Sequence, residues 1–273
     1  MESTPVLETA TLTSRERIAP GFWCLGFRSE RIAQRARAAH YVAIDVPGPF
    51  SVRLPLGIWT VAGDTFTLLF KEWGDRTIRL SRVSEGTPIS LIGPLGNVFD
   101  VTPRGSRATI ISGGIGVVPF WLLARDLVKA GVHVTAVLGA RTREHLVGLR
   151  ELENTGIELV TCTDDGSLGR RGTVIDILAT LPGADMLYGC GPPGMLRALC
   201  AYALEKGVPC RISMEETFGC SMGTCWGCVV PVRRGAAQAV GYPRAVAEKR
   251  AYDFARVCAD GTVFDARDLV WPS

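Results

Sequence analysis

The chain has 273 residues, 47% hydrophobic and 21% charged, which suits two modest domains or two plus an appendage and excludes wholesale disorder. Thirty Lys and Arg against 27 Asp and Glu leave a formal charge of +3, so there is no electrostatic case for nucleic acid or an anionic membrane as partner. No apolar run reaches the ~18 residues of a membrane span, and the polar start MESTPVLETA has no secretory pattern; a cytoplasmic protein is expected.

Residues 1–103 read as β structure. TLTSRERIA, GFWCLGFRS, AHYVAIDV, GIWTVAG, DTFTLLFKEW and TPISLIGP are short apolar or alternating runs punctuated by Gly, Pro and Asp, the pattern of an antiparallel barrel or sandwich. ERIAQRARAAH (30–40) is expected to be a loop or short helix between strands. Beyond PRGSR (103–107) the pattern changes. Strands are predicted at 108–112, 132–140, 157–166, 185–192 and 209–215, and helices at 119–131, 143–156, 173–181 and 193–207. Strands alternating with helices predict a doubly wound, largely parallel sheet, an α/β domain over 104–212. Residues 213–273 fit neither pattern and are too few for a core of their own, so a metal staple is expected there.

The cysteines support that expectation. There are nine, and an odd count without a secretory signal argues against a disulfide framework. Cys220, Cys225 and Cys228 follow the spacing C-x4-C-x2-C, and Cys258 comes after 29 further residues. This is the plant-type [2Fe–2S] spacing, in which one tight loop supplies three thiolates and a distant position the fourth. Gly219, Gly223 and Gly227 let such a loop close and offer N–H groups to sulfur. Zinc or free thiols are the other reading, though paired CxxC hairpins are the usual zinc pattern. Cys24, Cys162, Cys200 and Cys210 sit in apolar runs and are expected in the core. His40, His133 and His145 have no ligand spacing.

Glycine-rich turns recur at strand ends. Gly113-Gly114-Ile115-Gly116-Val117-Val118-Pro119 joins a strand to a helix, Asp164 and Asp165 end a second strand, and Cys190-Gly191-Pro192 ends a third. Carboxyl ends of parallel strands are where open α/β sheets bind ligands, with phosphate at a helix start; close packing of the turn is the plainer reading. In the β region, Arg76 and Thr77 of Gly74-Asp75-Arg76-Thr77 are candidate donors to a pyrophosphate, with ordinary hairpin turns as the alternative.

The order of β region, GGIGVVP, TDDGSLGRRG, YGCGPPGM and SMEETFGCSMGTCWGC…RVCADGTVFDA resembles the electron-transfer subunits of type B dihydroorotate dehydrogenase, within the ferredoxin-NADP reductase superfamily. The resemblance spans nearly the whole chain and is tightest over 108–228. Related branches are the reductase subunits of sulfhydrogenase and anaerobic sulfite reductase and the small subunit of bifurcating NADH-dependent ferredoxin:NADP oxidoreductase. It implies an FAD-binding β-barrel (1–103), an NAD-binding domain (104–212) and a small C-terminal [2Fe–2S] domain (213–273). Cys220, Cys225, Cys228 and Cys258 match the cluster ligands. Gly113, Gly114, Gly116 and Pro119 match the nucleotide turn, and Cys190, Gly191 and Pro192 the turn beside the nicotinamide. Phe70, Lys71, Arg76 and Thr77 fall where the family contacts the flavin nucleotide, and the acidic Asp164 favours NAD(H) over a 2′-phosphorylated nucleotide.

The chain departs from the family twice. Where the family has Arg-Pro-x-Ser against the flavin, this chain reads Arg53-Leu54-Pro55-Leu56-Gly57. A one-residue shift turns a strand side chain to the opposite face, so FAD is expected to bind less tightly and Leu54→Arg with Gly57→Ser to tighten it. The stretch from Cys228 to Cys258 is also longer than usual and holds Arg233, Arg234, Arg244, Lys249, Arg250 and Arg256, an exposed excursion or a docking surface. Trp226 is expected to pack within its own domain, with an interface anchor as the alternative. Glu215 and Glu216 read as loop-orienting groups or surface charge.

The expected function is electron transfer between a nicotinamide nucleotide, FAD and a [2Fe–2S] cluster, to or from an FMN-containing catalytic subunit in a hetero-oligomer. The alternatives are a non-catalytic iron–sulfur scaffold or redox-sensing subunit, and a stand-alone NADH-dependent reductase.

Overall fold

A computed structural model describes residues 4–50, 52–240 and 251–271. Its first six strands are β1 (Val6–Ala19), β2 (Phe22–Arg28), β3 (Tyr41–Ile44), β4 (Leu54–Ala62), β5 (Thr65–Lys71) and β6 (Pro88–Leu95). They close into a barrel in the order β1-β2-β5-β4-β3-β6, with every neighbouring pair antiparallel. Closure removes free sheet edges. Alternation fills the interior: Leu25 and Phe27 of β2, Phe66 and Leu68 of β5 and Leu91 of β6 are fully buried. The short helix α1 (Glu30–Arg35) starts where the Ser29 hydroxyl accepts the N–H of Ile32.

One barrel strand starts earlier than the sequence reading, and one short helix escaped it. β4 begins at Leu54, ahead of the predicted strand at 57–63. Pro55 hides it, because proline is a poor strand signal; here β4 pairs only with β3 over Leu54–Gly57 and meets β5 from Ile58 onward, so the missing N–H disrupts no two-sided ladder. The segment read as a turn at 74–77 starts α2 (Asp75–Leu80). The Thr77 hydroxyl accepts the N–H groups of Trp73 and Gly74 and donates to the Gly74 carbonyl.

The second layer set is α/β. β7 (Arg107–Gly113), β8 (His133–Ala140), β9 (Glu158–Thr163), β10 (Arg170–Arg171), β11 (Met186–Cys190) and β12 (Cys210–Ser213) are parallel, in the order β10-β9-β8-β7-β11-β12. The order reverses between β7 and β11, which opens a crevice at their carboxyl ends. Helices α3 (Phe120–Lys129), α5 (Val174–Leu178) and α6 (Pro193–Lys206) stand near their expected positions. The helix expected at 143–156 is a single turn at Arg143–His145 followed by α4 (Leu149–Glu153), because Gly148 takes φ +76° and breaks the run.

The C-terminal segment is woven into both domains. β13 (Val229–Arg233) and β14 (Tyr252–Arg256) form a hairpin, while β15 (Val263–Asp265) adds antiparallel to β12 and lengthens the large sheet. A border at 212/213 therefore cuts through this sheet. Phe218, Cys228, Val230, Ala255, Cys258 and Phe264 share one core with Ile212 and with Leu199 and Cys200 of α6, so the segment borrows apolar burial from its neighbour. The barrel holds it by Asn97, whose Oδ1 accepts the N–H groups of Thr262 (2.8 Å) and Val263 (2.7 Å) and whose amide donates to the Val263 carbonyl. Arg244, Lys249 and Arg250 lie outside the described residues. Arg233 pairs with Asp268 and Arg256 with Asp260. Cys162, Cys200 and Cys210 are buried as expected, whereas Cys24 is only half-buried. Among the described residues no helix is long and apolar enough to cross a membrane.

Candidate functional site

Between barrel and sheet lies a cavity of about 470 Å³. Strand β4 lines it with Pro55, Leu56 and Gly57, β5 with Phe70 and Lys71, and α2 with Thr77; Pro119 and Cys190 close it from the sheet side. These eight residues, singled out from the sequence, are brought together. Arg53 and Arg76 are not among the lining. The Arg53 guanidinium turns to Asp45 (2.9 Å) and Ser90 (3.1 Å), and Arg76 leans on the backbone carbonyls of Val52 and Arg53. Leu54 is buried in the barrel core. A Cβ built on Gly57 would stand 2.7 Å from Val118 Cγ1; the valine fills the room that a serine side chain needs.

Several lining residues were not singled out. Tyr41 pairs with Gly57 across β3 and β4 and faces the cavity, as do His40, Phe218 and Thr262. Burial and nearby Arg37 push the His40 imidazole down to about 4, so it is neutral at pH 7. Its Nδ1 accepts the Arg37 N–H at 3.0 Å. The Tyr41 ring packs edge-on against Phe218, and its hydroxyl donates to the carbonyls of Cys258 (3.0 Å) and Ser221 (3.4 Å). One barrel side chain thus touches both the cavity wall and the cysteine loops.

A second cavity of about 550 Å³ opens over the switch point. Gly113, Gly114, Gly116, Asp164, Gly191 and Pro192 line it, and it shares Lys71, Trp73, Ile115 and Glu215 with the first. Ser112 and Cys190 are register partners on β7 and β11, which brings the two turns side by side. Their backbones touch at Gly116, where a Cβ would lie 2.4 Å from the Cys190 carbonyl oxygen. Glu215, read as a loop-orienting group or surface charge, stands where the cavities meet. The Cys190 thiol points at its Oε1 over 3.9 Å. Desolvation by the surrounding protein raises the Glu215 carboxyl from its ordinary value, although the residue still meets solvent. Burial, with Glu215 beside it, holds the Cys190 thiol well above its usual range.

The four spaced cysteines sit behind Tyr41. Backbone N–H groups of Met222 (3.4 Å), Thr224 (3.3 Å) and Cys225 (3.4 Å) point at Cys220 Sγ, and Gly223 N–H points at Cys258 Sγ (3.2 Å). Gly227 N–H serves Cys225 Sγ and Cys258 N–H serves Cys228 Sγ, both at 3.5 Å. Burial alone would raise the Cys220 thiol, but bonds from Met222, Cys225 and Thr224 pull it down to about 6. Burial and neighbouring Cys228 push the Cys258 thiol up to about 12. Gly223 takes φ +79°, and a Cβ there would strike Ala259 and Arg256. Arg256 locks the loop by donating to the Gly223 carbonyl (2.8 Å) and to Asp260 while lying over Trp226. Trp226 is half-buried under that guanidinium, close to the expected internal packing. Among the described residues no three His, Cys, Asp or Glu side chains converge on one ion position; a two-iron cluster asks for four thiolates spread over two irons. N–H groups aimed at each sulfur and a loop with no room for a side chain at Gly223 fit such a cluster.

No family model matches the chain. It is 31% identical over 263 residues to the electron transfer subunit of dihydroorotate dehydrogenase B (NAD(+)) of Caldanaerobacter subterraneus subsp. tengcongensis, covering 96% of this chain and 98% of the relative. It is 33% identical over 271 residues to the protein of that name in Streptococcus mutans, with the same two coverages. Among solved structures, one of an NADH-dependent reduced ferredoxin-NADP oxidoreductase superposes with a TM-score of 0.80 at 26% identity, over 99% of this chain and 92% of the other.

Proposed function

The chain belongs to the electron transfer subunits of dihydroorotate dehydrogenase B, and from that premise we propose that it carries electrons between NAD(H), FAD and a [2Fe–2S] cluster and exchanges them with an FMN-containing catalytic subunit in the cytoplasm. The observation that carries this reading is continuity. The second cavity joins the first at Lys71, Trp73, Ile115 and Glu215, and Tyr41 of the first reaches the backbone of Cys258.

The chemistry the bound groups would supply is hydride acceptance at FAD and one-electron transfer at the cluster, and it is the cofactors' own. The chain's residues bind and orient. Pro55, Leu56, Phe70 and Pro119 offer flat apolar walls for an isoalloxazine. Lys71, whose ammonium lies 5.4 Å over the Phe22 ring, brings a positive charge to the junction. The turn Gly113–Gly116 presents backbone to a pyrophosphate, and Asp164 lies on the nucleotide's side. Cys190 Sγ directs its proton at Glu215 Oε1 where the two cavities meet. Cys220, Cys225, Cys228 and Cys258 would ligate the irons. The test is anaerobic addition of NADH to the purified complex. Flavin absorbance should bleach first and iron–sulfur absorbance follow, and bleaching without any iron–sulfur change overturns the relay.

The scaffold reading gains one observation, the diversion of Arg53 to Asp45 and Ser90, which leaves the flavin site one cation short. The remedy expected from sequence reverses, however. Gly57→Ser is expected to weaken FAD retention by about 1–3 kcal/mol, the usual range for overpacking, because its Cβ meets Val118; Gly57→Ser with Val118→Ala should recover it. FAD dissociation constants of both variants check this, and tighter binding in the single variant would show that Val118 yields freely.

A further inference from the structure

Ser221, between Cys220 and Met222, is anomalous twice. Its φ is +57°, a left-handed backbone that a residue with a Cβ rarely holds. Its hydroxyl is buried, the residue being 4% exposed, and has no hydrogen-bond partner among the described residues. Glycine would relieve the first and any residue without a polar group the second, so the serine keeps two unfavourable features with nothing among the described residues to offset them. A backbone outlier and an orphaned hydroxyl at one position call for an absent partner. The surroundings narrow what it is. On either side, N–H groups aim at Cys220 Sγ and Cys258 Sγ, so the loop is a nest of donors converging on sulfur. The Ser221 carbonyl is engaged by the Tyr41 hydroxyl, which also holds the Cys258 carbonyl. Tyr41 therefore fixes the Ser221 peptide from the barrel side.

We propose that Ser221 donates its hydroxyl proton in a hydrogen bond to a sulfur atom of the iron–sulfur cluster and thereby raises the cluster's reduction potential. The inference rests on the four cysteines being the cluster's ligands. One-electron reduction adds negative charge that falls partly on sulfur, so a donor there favours the reduced form. Tyr41 acts as a positioning residue in this arrangement.

The test uses the full chain with its partner subunit, loaded with cofactors, as wild type, Ser221→Ala and Ser221→Gly. Iron and acid-labile sulfide are measured first, and the cluster midpoint then by a titration followed by electron paramagnetic resonance. Both variants should keep the cluster, and both midpoints should fall by an amount equivalent to about a tenfold change in the one-electron equilibrium constant, about 59 mV. If Ser221→Ala fails to load, Ser221→Gly, whose backbone suits the position, carries the measurement. Midpoints equal to wild type overturn the proposal, as does a fall in the glycine variant with none in a loaded alanine variant, which would assign the effect to backbone relaxation. A wild-type protein without iron and sulfide overturns the ligand assignment itself, and that is read before any variant is compared.

Discussion

Cys225→Ser is expected to abolish [2Fe–2S] assembly, taking iron and labile sulfide to background. Of the four spaced cysteines, Cys225 gives the cleanest experiment. It is exposed, while Cys228 and Cys258 are buried in the core shared with α6. Its sulfur accepts the Gly227 N–H at a long 3.5 Å, so the change removes a ligand without opening a cavity. The structural consequence is narrower than sequence alone suggests. With 213–273 as a separate domain, losing the metal would unfold all of it. Here β15 remains paired with β12 and Asn97 still holds Thr262 and Val263. Loss of hydrogen-exchange protection should therefore concentrate on 216–228 and 256–260, with 210–213 and 263–265 protected. Iron and sulfide at wild-type levels would sink the ligand assignment. Loss of protection across the large sheet would show that the cluster, and not the shared core, holds the C-terminal segment.

What the sequence discloses, and what it hides, follows from the range of the interactions involved. The barrel strands and the alternating half are visible because side-chain periodicity is local. The cysteine spacing is visible for the same reason, since three thiolates from one loop need a short fixed interval. Tyr41 is invisible as a site residue. Its role depends on pairing with Gly57 and on reaching Cys258 more than two hundred positions away. Asn97 is hidden likewise, bonding residues 165 and 166 positions later. Glu215 could be seen only as a charge near the cysteine loop, because its meaning comes from Cys190, which the β7–β11 register delivers. β15 is too short for a periodic signal and becomes a strand only because β12 offers an edge. The diversion of Arg53 follows from one residue of register: the position that aligns with the family's arginine is Leu54, which packs inward, and Arg53 satisfies its charge on Asp45.

Gly116→Val is expected to slow reduction of the bound flavin by NADH about a hundredfold, the scale on which a misplacement of ~1 Å is felt in catalysis. From sequence, the glycine looks like an opening for the nucleotide. The structure gives it an earlier duty, for a Cβ there would lie 2.4 Å from the Cys190 oxygen, 2.6 Å from the Cys190 carbonyl carbon and 2.8 Å from Gly191 Cα. All three are backbone atoms, so no rotamer relieves the contact and the turns must part. Parting them disturbs Gly113, Gly114, Gly191 and Pro192 together, the residues that line the second cavity. Overpacking should also cost about 1–3 kcal/mol of stability. Because Cys190 also lines the first cavity, some FAD loss is expected, while iron and sulfide should stay at wild-type levels. Gly114→Ala supplies the contrast. A Cβ at Gly114 meets nothing within 4 Å, although φ is +57°, so the cost to the fold is about 1–2 kcal/mol of backbone strain and any larger effect on NADH reports an approaching ligand. Stopped-flow reduction with NADH, set against reduction by dithionite, separates nucleotide loss from flavin loss. Wild-type rates in both variants would place the nicotinamide site away from the β7–β11 switch point.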